Sequence, residues 1–430
     1  MSAAPTSAYA RIANLASDRR VHQAFQWMHL HERQIMQWQA GLVEVPAPPF
    51  GERPRAEWLC DRFRDLGLRK VLIDEEGNAI GELPGSDAPV SAAPRPCLLL
   101  SAHIDTIFPA GTPIDPVLDG TRLTAPGACD NGAGIAAMLA IAAALRHAHV
   151  ELPCDLVFLG NVGEEGEGDL RGMRHIYRHA PWRDRIAAHI VLDGAGHEIA
   201  VTHALGSQRF LVTLCGPGGH SWTDAGRPNP IVVLSQAIAR LGSLALSGSP
   251  RTTLNVGTIE GGTSVNAIPE QASARFDLRS TDPEQLMCLE VELHRAVEDA
   301  VLDARHAFAA ALKDGHARGP GDLKFSIARI GNRPAGRLPS ASPLFETLRA
   351  VDRHLSIRTE PRVASTDANI PLSLGVPAFS LGSGGEGGGI HTRAEWYDAR
   401  GRELALRRIL LLLLALSHQQ THSSGTLAAI

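Results

Sequence analysis

Three apolar runs, far apart in the chain, end in the same way, and that recurrence constrains the fold more than any other feature. Leu98-Leu99-Leu100 leads through Ser101-Ala102 to His103 and Asp105. Leu156 to Leu159 empties into Gly160-Asn161-Val162-Gly163-Glu164-Glu165-Gly166, and His189 to Leu192 stops at Asp193. Short apolar runs that end in turn residues read as buried strands of an α/β sheet. Ligands in such sheets sit just beyond the carboxyl ends of the strands. Residues two apart in extended chain face the same side, so His103 and Asp105 share one face at the mouth of their strand.

The rest of the chain fits around this core. Helices are expected over Arg19 to Gln39 and Glu52 to Leu66, and a hairpin around Glu75-Glu76-Gly77-Asn78. Met1 to Asp18 reads as a frayed leader, and Ser86 to Pro96 as a Pro-rich surface loop. From Gln208 the alternation changes to strand, helix, strand, strand, helix, strand, with the long helix starting at Pro283 and the last strand near Lys324. That order is a split-βαβ sandwich, a four-stranded antiparallel sheet with two helices on one face. The expected organisation is an α/β domain over 1–206 and 333–430, interrupted by an inserted βαββαβ (ferredoxin-like) domain over 207–332. A terminal helix over Ala399 to His418 closes the chain.

Composition enters mainly by exclusion. A net charge of −5 over 430 residues gives no footing for nucleic acid. The longest apolar block, Ile409 to Leu416, is too short to span a bilayer and follows Arg407-Arg408, so it reads as part of a buried helix and no membrane partner is expected. The six cysteines show no paired C-x-x-C spacing, which points to reduced thiols and a cytoplasmic setting. The first residues lack the basic start and apolar block of a secretory signal.

The candidate chemistry sits in loops: His103, Asp105, Asp130, Glu164, Glu165, Asp193 and, after Gly387-Gly388-Gly389-Ile390, His391. Each has a plain structural reading alone, a core histidine or a solvated carboxylate. Together, two histidines and three carboxylates suit two divalent metals with one carboxylate shared. Paired metals about 3.5–4 Å apart activate water and clamp the oxyanion of amide hydrolysis. The imidazole–carboxylate mix favours zinc, with cobalt or manganese also accommodated.

The His103-Ile104-Asp105-Thr106 strand end, the Gly127-Ala128-Cys129-Asp130-Asn131-Gly132-Ala133-Gly134 loop, the Glu164-Glu165 pair and the late His391 follow a characteristic order. In that order and spacing the chain resembles the co-catalytic zinc peptidase family of peptidase T, carboxypeptidase G, acetylornithine deacetylase and aminoacylase. The resemblance runs from Val45-Pro46 to the terminal helix. It implies a zinc-exopeptidase-type fold with an inserted lid. By position, His103 and Asp193 hold one metal, Glu165 and His391 the other, and Asp130 bridges. Glu164 is implied as general base, Asp105 as the group that orients His103 through its far nitrogen, and Asp130-Asn131 as a cis peptide. His220, Asn266 and Arg279 match lid positions that bind substrate in relatives, with His220 reaching across a homodimer interface.

The function this implies is hydrolysis of an amide bond in a small peptide. Asp193, where deacylases and carboxypeptidase-type relatives usually carry Glu, tilts the reading toward a di- or tripeptide aminopeptidase. The alternatives are an N-acyl-amino-acid deacylase or carboxypeptidase-type enzyme, and a catalytically silent metal-binding homologue. The presence of Glu164 separates the last from an enzyme. An unrelated α/β protein would bind no metal at all.

Overall fold

A computed structural model describes residues 7–86 and 95–423. Most of the expected Ser86 to Pro96 loop, and Met1 to Thr6 of the expected leader, lie outside the described residues. The chain divides into two compact units, Met1–Ala204 with Arg337–Ile430, and Leu205–Gly336.

The larger unit is built on a mixed sheet. Its centre is four adjacent parallel strands in the order Asp155–Asn161, Cys97–His103, Ile186–Leu192, Ala378–Leu381. Cys97–His103 is buried at every residue, as a central strand covered on both faces must be. Antiparallel neighbours flank this centre, Ala79–Leu83 on one side and Ile199–Ala204 on the other. Helix Gly132–His147 is apolar on all faces and buried from Gly132 to Leu145, which marks it as an interior helix. The last helix, Arg402–Ser423, carries the apolar block Ile409 to Leu416 buried, as expected. Arg408 on that helix is also buried, its guanidinium donating to both oxygens of Asp352 at 2.6 and 2.9 Å. Among the described residues no helix is long and apolar enough to cross a membrane.

A small four-stranded antiparallel sheet, in the order Glu386–Gly388, Trp396–Asp398, Arg122–Thr124, Val117–Asp119, completes the functional architecture. It brings the loop after Thr124 beside the loop between Gly388 and Trp396.

Three local expectations differ from the structure. Ala8–Ala16 is a helix capped by Ser7, where the sequence suggested a leader. Its buried Ile12 and Ala16 supply the apolar face that ties it down. The single helix expected over Arg19 to Gln39 is two, Arg19–Leu30 and Glu32–Val43. The break falls at His31, whose backbone leaves helical angles and whose ring Nδ1 lies 2.8 Å from the Trp27 carbonyl. Helix Arg171–His179, unforeseen in the sequence, follows the Glu164-Glu165 loop.

The smaller unit is built on a four-stranded antiparallel sheet in the order Thr252–Gly261, Gln271–Ser280, Gly206–Cys215, Lys324–Arg333. Along Gln271–Ser280 the buried residues alternate, Ala272, Ala274, Phe276 and Leu278. They pack with helices Pro230–Gly242 and Pro283–Lys313.

Candidate metal centre

All four central parallel strands deliver polar residues beyond their carboxyl ends, the position where open α/β sheets bind ligands. His103 closes one strand, and the ladder continues for one more bond, Ile104 N–H to the Asn161 carbonyl at 2.8 Å. Glu164 and Glu165 follow Asp155–Asn161, and Asp193 follows Ile186–Leu192 directly. His391 lies in the loop beyond Ala378–Leu381 and the short strand Glu386–Gly388.

These side chains form three overlapping groups whose candidate ligand atoms lie within 4.8 Å of one another: His103, Asp130 and Asp193; Asp130, Glu165 and His391; His103, Glu164 and Glu165. Asp130 belongs to the first two and presents a different oxygen to each. Its Oδ1 is 2.9 Å from His103 Nε2, and its Oδ2 is 3.1 Å from His391 Nε2. His391 Nε2 is also 2.9 Å from Glu165 Oε1, and His103 Nε2 is 3.9 Å from Asp193 Oδ1. The bond Asp130-Asn131 is cis.

The electrostatics are those of a crowded anionic cup. Burial opposes a proton on His103, but Asp105 and Asp130 beside it outweigh burial and hold its pKa well above the usual imidazole range. Asp130 is pulled well below the usual carboxylate range by hydrogen bonds to His103 and His391, against the cost of its own burial. Burial, reinforced by the nearby Asp130 charge, pushes the Asp193 carboxyl up to about 7. Hydrogen bonding to Asp130 raises His391 to about 9, although burial works against it. A group of anions that can keep their charge only beside protonated histidines is one in which divalent cations can replace those protons.

The donor set fits such cations. His103 Nδ1 lies 3.1 Å from the Asp105 carbonyl oxygen. A carbonyl only accepts, so Nδ1 carries a proton and Nε2 is the nitrogen available to a metal. Each of the two groups around Asp130 offers one imidazole nitrogen and two carboxylates, a mix suited to zinc and compatible with neighbouring divalent metals.

Asp105 differs from the expectation. Its carboxylate stands 3.6 Å from His103 Nδ1, beyond hydrogen-bond length, while its own carbonyl takes that proton. The carboxylate accepts the backbone N–H of Glu164 at 3.1 Å and of Glu165 at 2.8 Å. Asp105 therefore orients the imidazole through its main chain and fixes the Glu-Glu turn through its side chain. Ahead of that turn, Gly163 adopts φ +69°, and a Cβ there would meet the Arg171 side chain at 2.6 Å.

Several residues at the site have roles that gave no sequence signal. Glu395 is fully buried, and its carboxylate accepts N–H groups from Gly127 at 3.1 Å, Cys129 at 2.8 Å and Asp130 at 2.7 Å. Burial lifts its carboxyl above the usual range in spite of those bonds. Asn131 caps helix Gly132–His147 by accepting the Gly134 N–H, accepts the Gly194 N–H at 3.2 Å and donates to the Leu192 carbonyl at 2.8 Å. It thus grips the chain on both sides of Asp193. Arg55, also buried, donates to the carbonyls of Val45 and Ile104, both at 2.9 Å. Only Glu395's nearness to His391 along the chain could have drawn attention to it.

In the smaller unit, His220 and Asn266 fall together. Gly219–His220 pairs with Ala267–Ile268, and Ser221 N–H donates to the Asn266 carbonyl at 3.0 Å. His220 is exposed, its Nδ1 accepting the N–H of Trp222 at 3.1 Å. Arg279 is elsewhere, near the opposite end of strand Gln271–Ser280, where its Nε donates to Asp277 at 2.7 Å. At about 3.3 Å per residue the two ends of that strand are roughly 30 Å apart.

Comparison with known proteins adds an independent line. Residues 99–416 match the model of peptidase family M20/M25/M40. A probable carboxypeptidase of Aspergillus clavatus is 31% identical over 308 residues, covering 66% of this chain and 63% of that protein. One from Arthroderma otae is 27% identical over 327 residues, 68% of each. The chain thus spans about two thirds of the length of these curated relatives. Among solved structures, aminopeptidase PepT from Bacillus cereus superposes with a TM-score of 0.68 at 20% identity, over 90% of this chain and 99% of that one. A tripeptidase from Staphylococcus aureus gives 0.71, also at 20% identity and with the same coverage of both chains.

Proposed function

The chain belongs to peptidase family M20/M25/M40, and from that premise we propose that it is a two-metal hydrolase cleaving an amide bond of a small peptide, in the manner of a di- or tripeptide aminopeptidase. The observation that carries the reading is Asp130, whose two carboxylate oxygens face two separate histidines. His103, Asp193 and Asp130 would hold one divalent ion, and Glu165, His391 and Asp130 the other. Zinc is the ion this donor set favours. When bound, such a pair supplies Lewis acidity for water activation and for the oxyanion.

The chain's own residues supply the rest. Glu164 is buried, with its carboxylate within 4.8 Å of ligand atoms of His103 and Glu165. From there it takes the proton of the attacking water and returns it to the leaving amine nitrogen, as a general base that becomes a general acid. Asp105 holds the backbone on which that carboxylate depends. His103, locked through Nδ1, cannot turn its ring away.

Two observations bear on the substrate. Asp193 in place of Glu supports recognition of a free amine, whereas the naming of the Aspergillus and Arthroderma relatives as carboxypeptidases favours the second reading, a carboxypeptidase-type or N-acyl-amino-acid amidohydrolase. Assay of zinc-loaded protein on free tripeptides against N-acetyl amino acids decides between them. Turnover of the acylated substrates alone overturns the aminopeptidase reading.

The smaller unit is read as a lid through which two copies pair. The distance between His220 and Arg279 within one copy supports this, since a shared site could take one residue from each. A monomer by light scattering removes it. The cysteines within the described residues are free, in keeping with a cytoplasmic setting.

A further inference from the structure

The two metal positions are anchored differently. The first draws His103 and Asp193 from adjoining strand ends, and the His103 side chain is only 2% exposed. The second depends on His391, whose side chain is 49% exposed and whose backbone sits at φ +66° in a surface loop. A non-glycine residue adopts that left-handed conformation uncommonly and at an energetic cost that its surroundings offset. Four residues on, the same segment dives inward at Glu395, whose carboxylate takes three backbone N–H groups from the Asp130 loop. The Glu395 carbonyl accepts a further one from Ala125 at 3.0 Å. One residue therefore joins the segment that carries His391 to the loop that carries Asp130.

We propose that Glu395 is a positioning residue that sets the affinity of the second metal position; the inference rests on the two-metal reading above. The carboxylate fixes the Asp130 loop by three bonds, one of them to the Asp130 N–H itself, so Oδ2 stays aimed at His391 while the loop behind His391 stays docked. The first position keeps two strand-borne ligands without it. The hydrogen-bond pattern grades the substitutions. In Glu395→Gln, Oε1 still accepts from Cys129 and Asp130, but an amide NH₂ then opposes the Gly127 N–H. Glu395→Ala loses all three bonds and leaves buried N–H groups unpartnered.

The test is a calorimetric titration of metal-free, full-length protein with zinc. Wild type is expected to take up two ions in distinguishable classes. Glu395→Gln should weaken the second class about 10–100-fold, the range seen when partners that orient metal ligands are changed. The first class should stay within about twofold, and added zinc should restore kcat at unchanged KM. Should Glu395→Ala fail to fold, the Gln variant still decides. An unchanged isotherm for Glu395→Gln sinks the inference alone. An equal fall in both classes with a lowered melting temperature of the metal-free protein also sinks it, since Glu395 would then serve only the fold. A wild-type protein that takes up a single ion removes the two-metal reading and the inference together.

Discussion

The proposed ligands on strand ends and the proposed ligand on a loop reach the same site by different physical routes. His103 and Asp193 are placed by the sheet register itself. Cys97–His103 and Ile186–Leu192 are neighbours, and burial of their apolar runs fixes where each strand stops. His391 has no such run behind it, and its place depends on a short edge strand and a buried carboxylate. A ligand of the first kind comes with the core, whereas one of the second kind needs a polar support of its own.

Four measurements would break or sharpen that contrast. The largest effect belongs to Glu164, the proposed base and not a proposed ligand: Glu164→Gln should lower kcat by about 10²–10⁴ while both ions remain bound, as metal analysis would show. Loss of metal together with activity would make Glu164 a ligand and redraw both positions. Next come the two histidines. His103→Ala should weaken the strand-borne position more than ~100-fold and His391→Ala should leave it within a few-fold, because removal of a ligand exceeds the 10–100-fold effect of its supports. Stepwise chelation should likewise strip the loop-borne ion first, with hydrolysis lost at that step. Equal sensitivity of both positions in titration or chelation would dissolve the distinction.

The third concerns the sheet beneath. His189 is fully buried between the Ser101 hydroxyl at 2.7 Å and the Tyr177 hydroxyl at 3.0 Å, and burial lowers its pKa from 6.5 to about 3. The folded state therefore binds a proton less readily than the unfolded chain. Its contribution is intact above pH 6.5 and is lost progressively as pH falls from 6.5 toward 3, at about 1.4 kcal/mol per unit. Denaturant unfolding should show about 2 kcal/mol lost between pH 7 and 5 from this group, and His189→Gln should flatten the slope by that amount. An unaltered slope would mean that the sheet under the strand-borne ligands is not held by a neutral His189. The smallest effect is expected for Asp105→Asn, which keeps one acceptor for the Glu-Glu turn: about tenfold in kcat, with KM steady. A rise in KM alone would place Asp105 in substrate binding.

The same contrast explains what the sequence could and could not reveal. Leu98–Leu100, Leu156–Leu159 and His189–Leu192 announce strands, and a polar residue after each announces a site, because core burial writes a pattern into residue type. The order of elements from Gln208 likewise gave the antiparallel sheet and its two helices. Glu395 and Asn131 bind backbone N–H and C=O groups, which every residue but proline carries, so their partners leave no trace in the sequence. Asp105 was placed correctly beside His103, but which of its oxygens met the imidazole depended on a turn no periodicity encodes. His220 and Asn266 meet through a two-residue ladder too short to register, and the helix Ala8–Ala16 was hidden by a composition rich in small residues.

Asn131 carries one further consequence. It ties the Asp130 loop to Leu192 and Gly194 with an uncharged amide, directly beside carboxylates and histidines whose mutual attraction is ionic. Dissolved salt weakens interactions between charges over a Debye length of about 8 Å at physiological strength, but it has little purchase on a buried amide hydrogen bond. The spacing between Asp130 and Asp193 thus rests in part on neutral hydrogen bonds, which carry no charge for salt to screen.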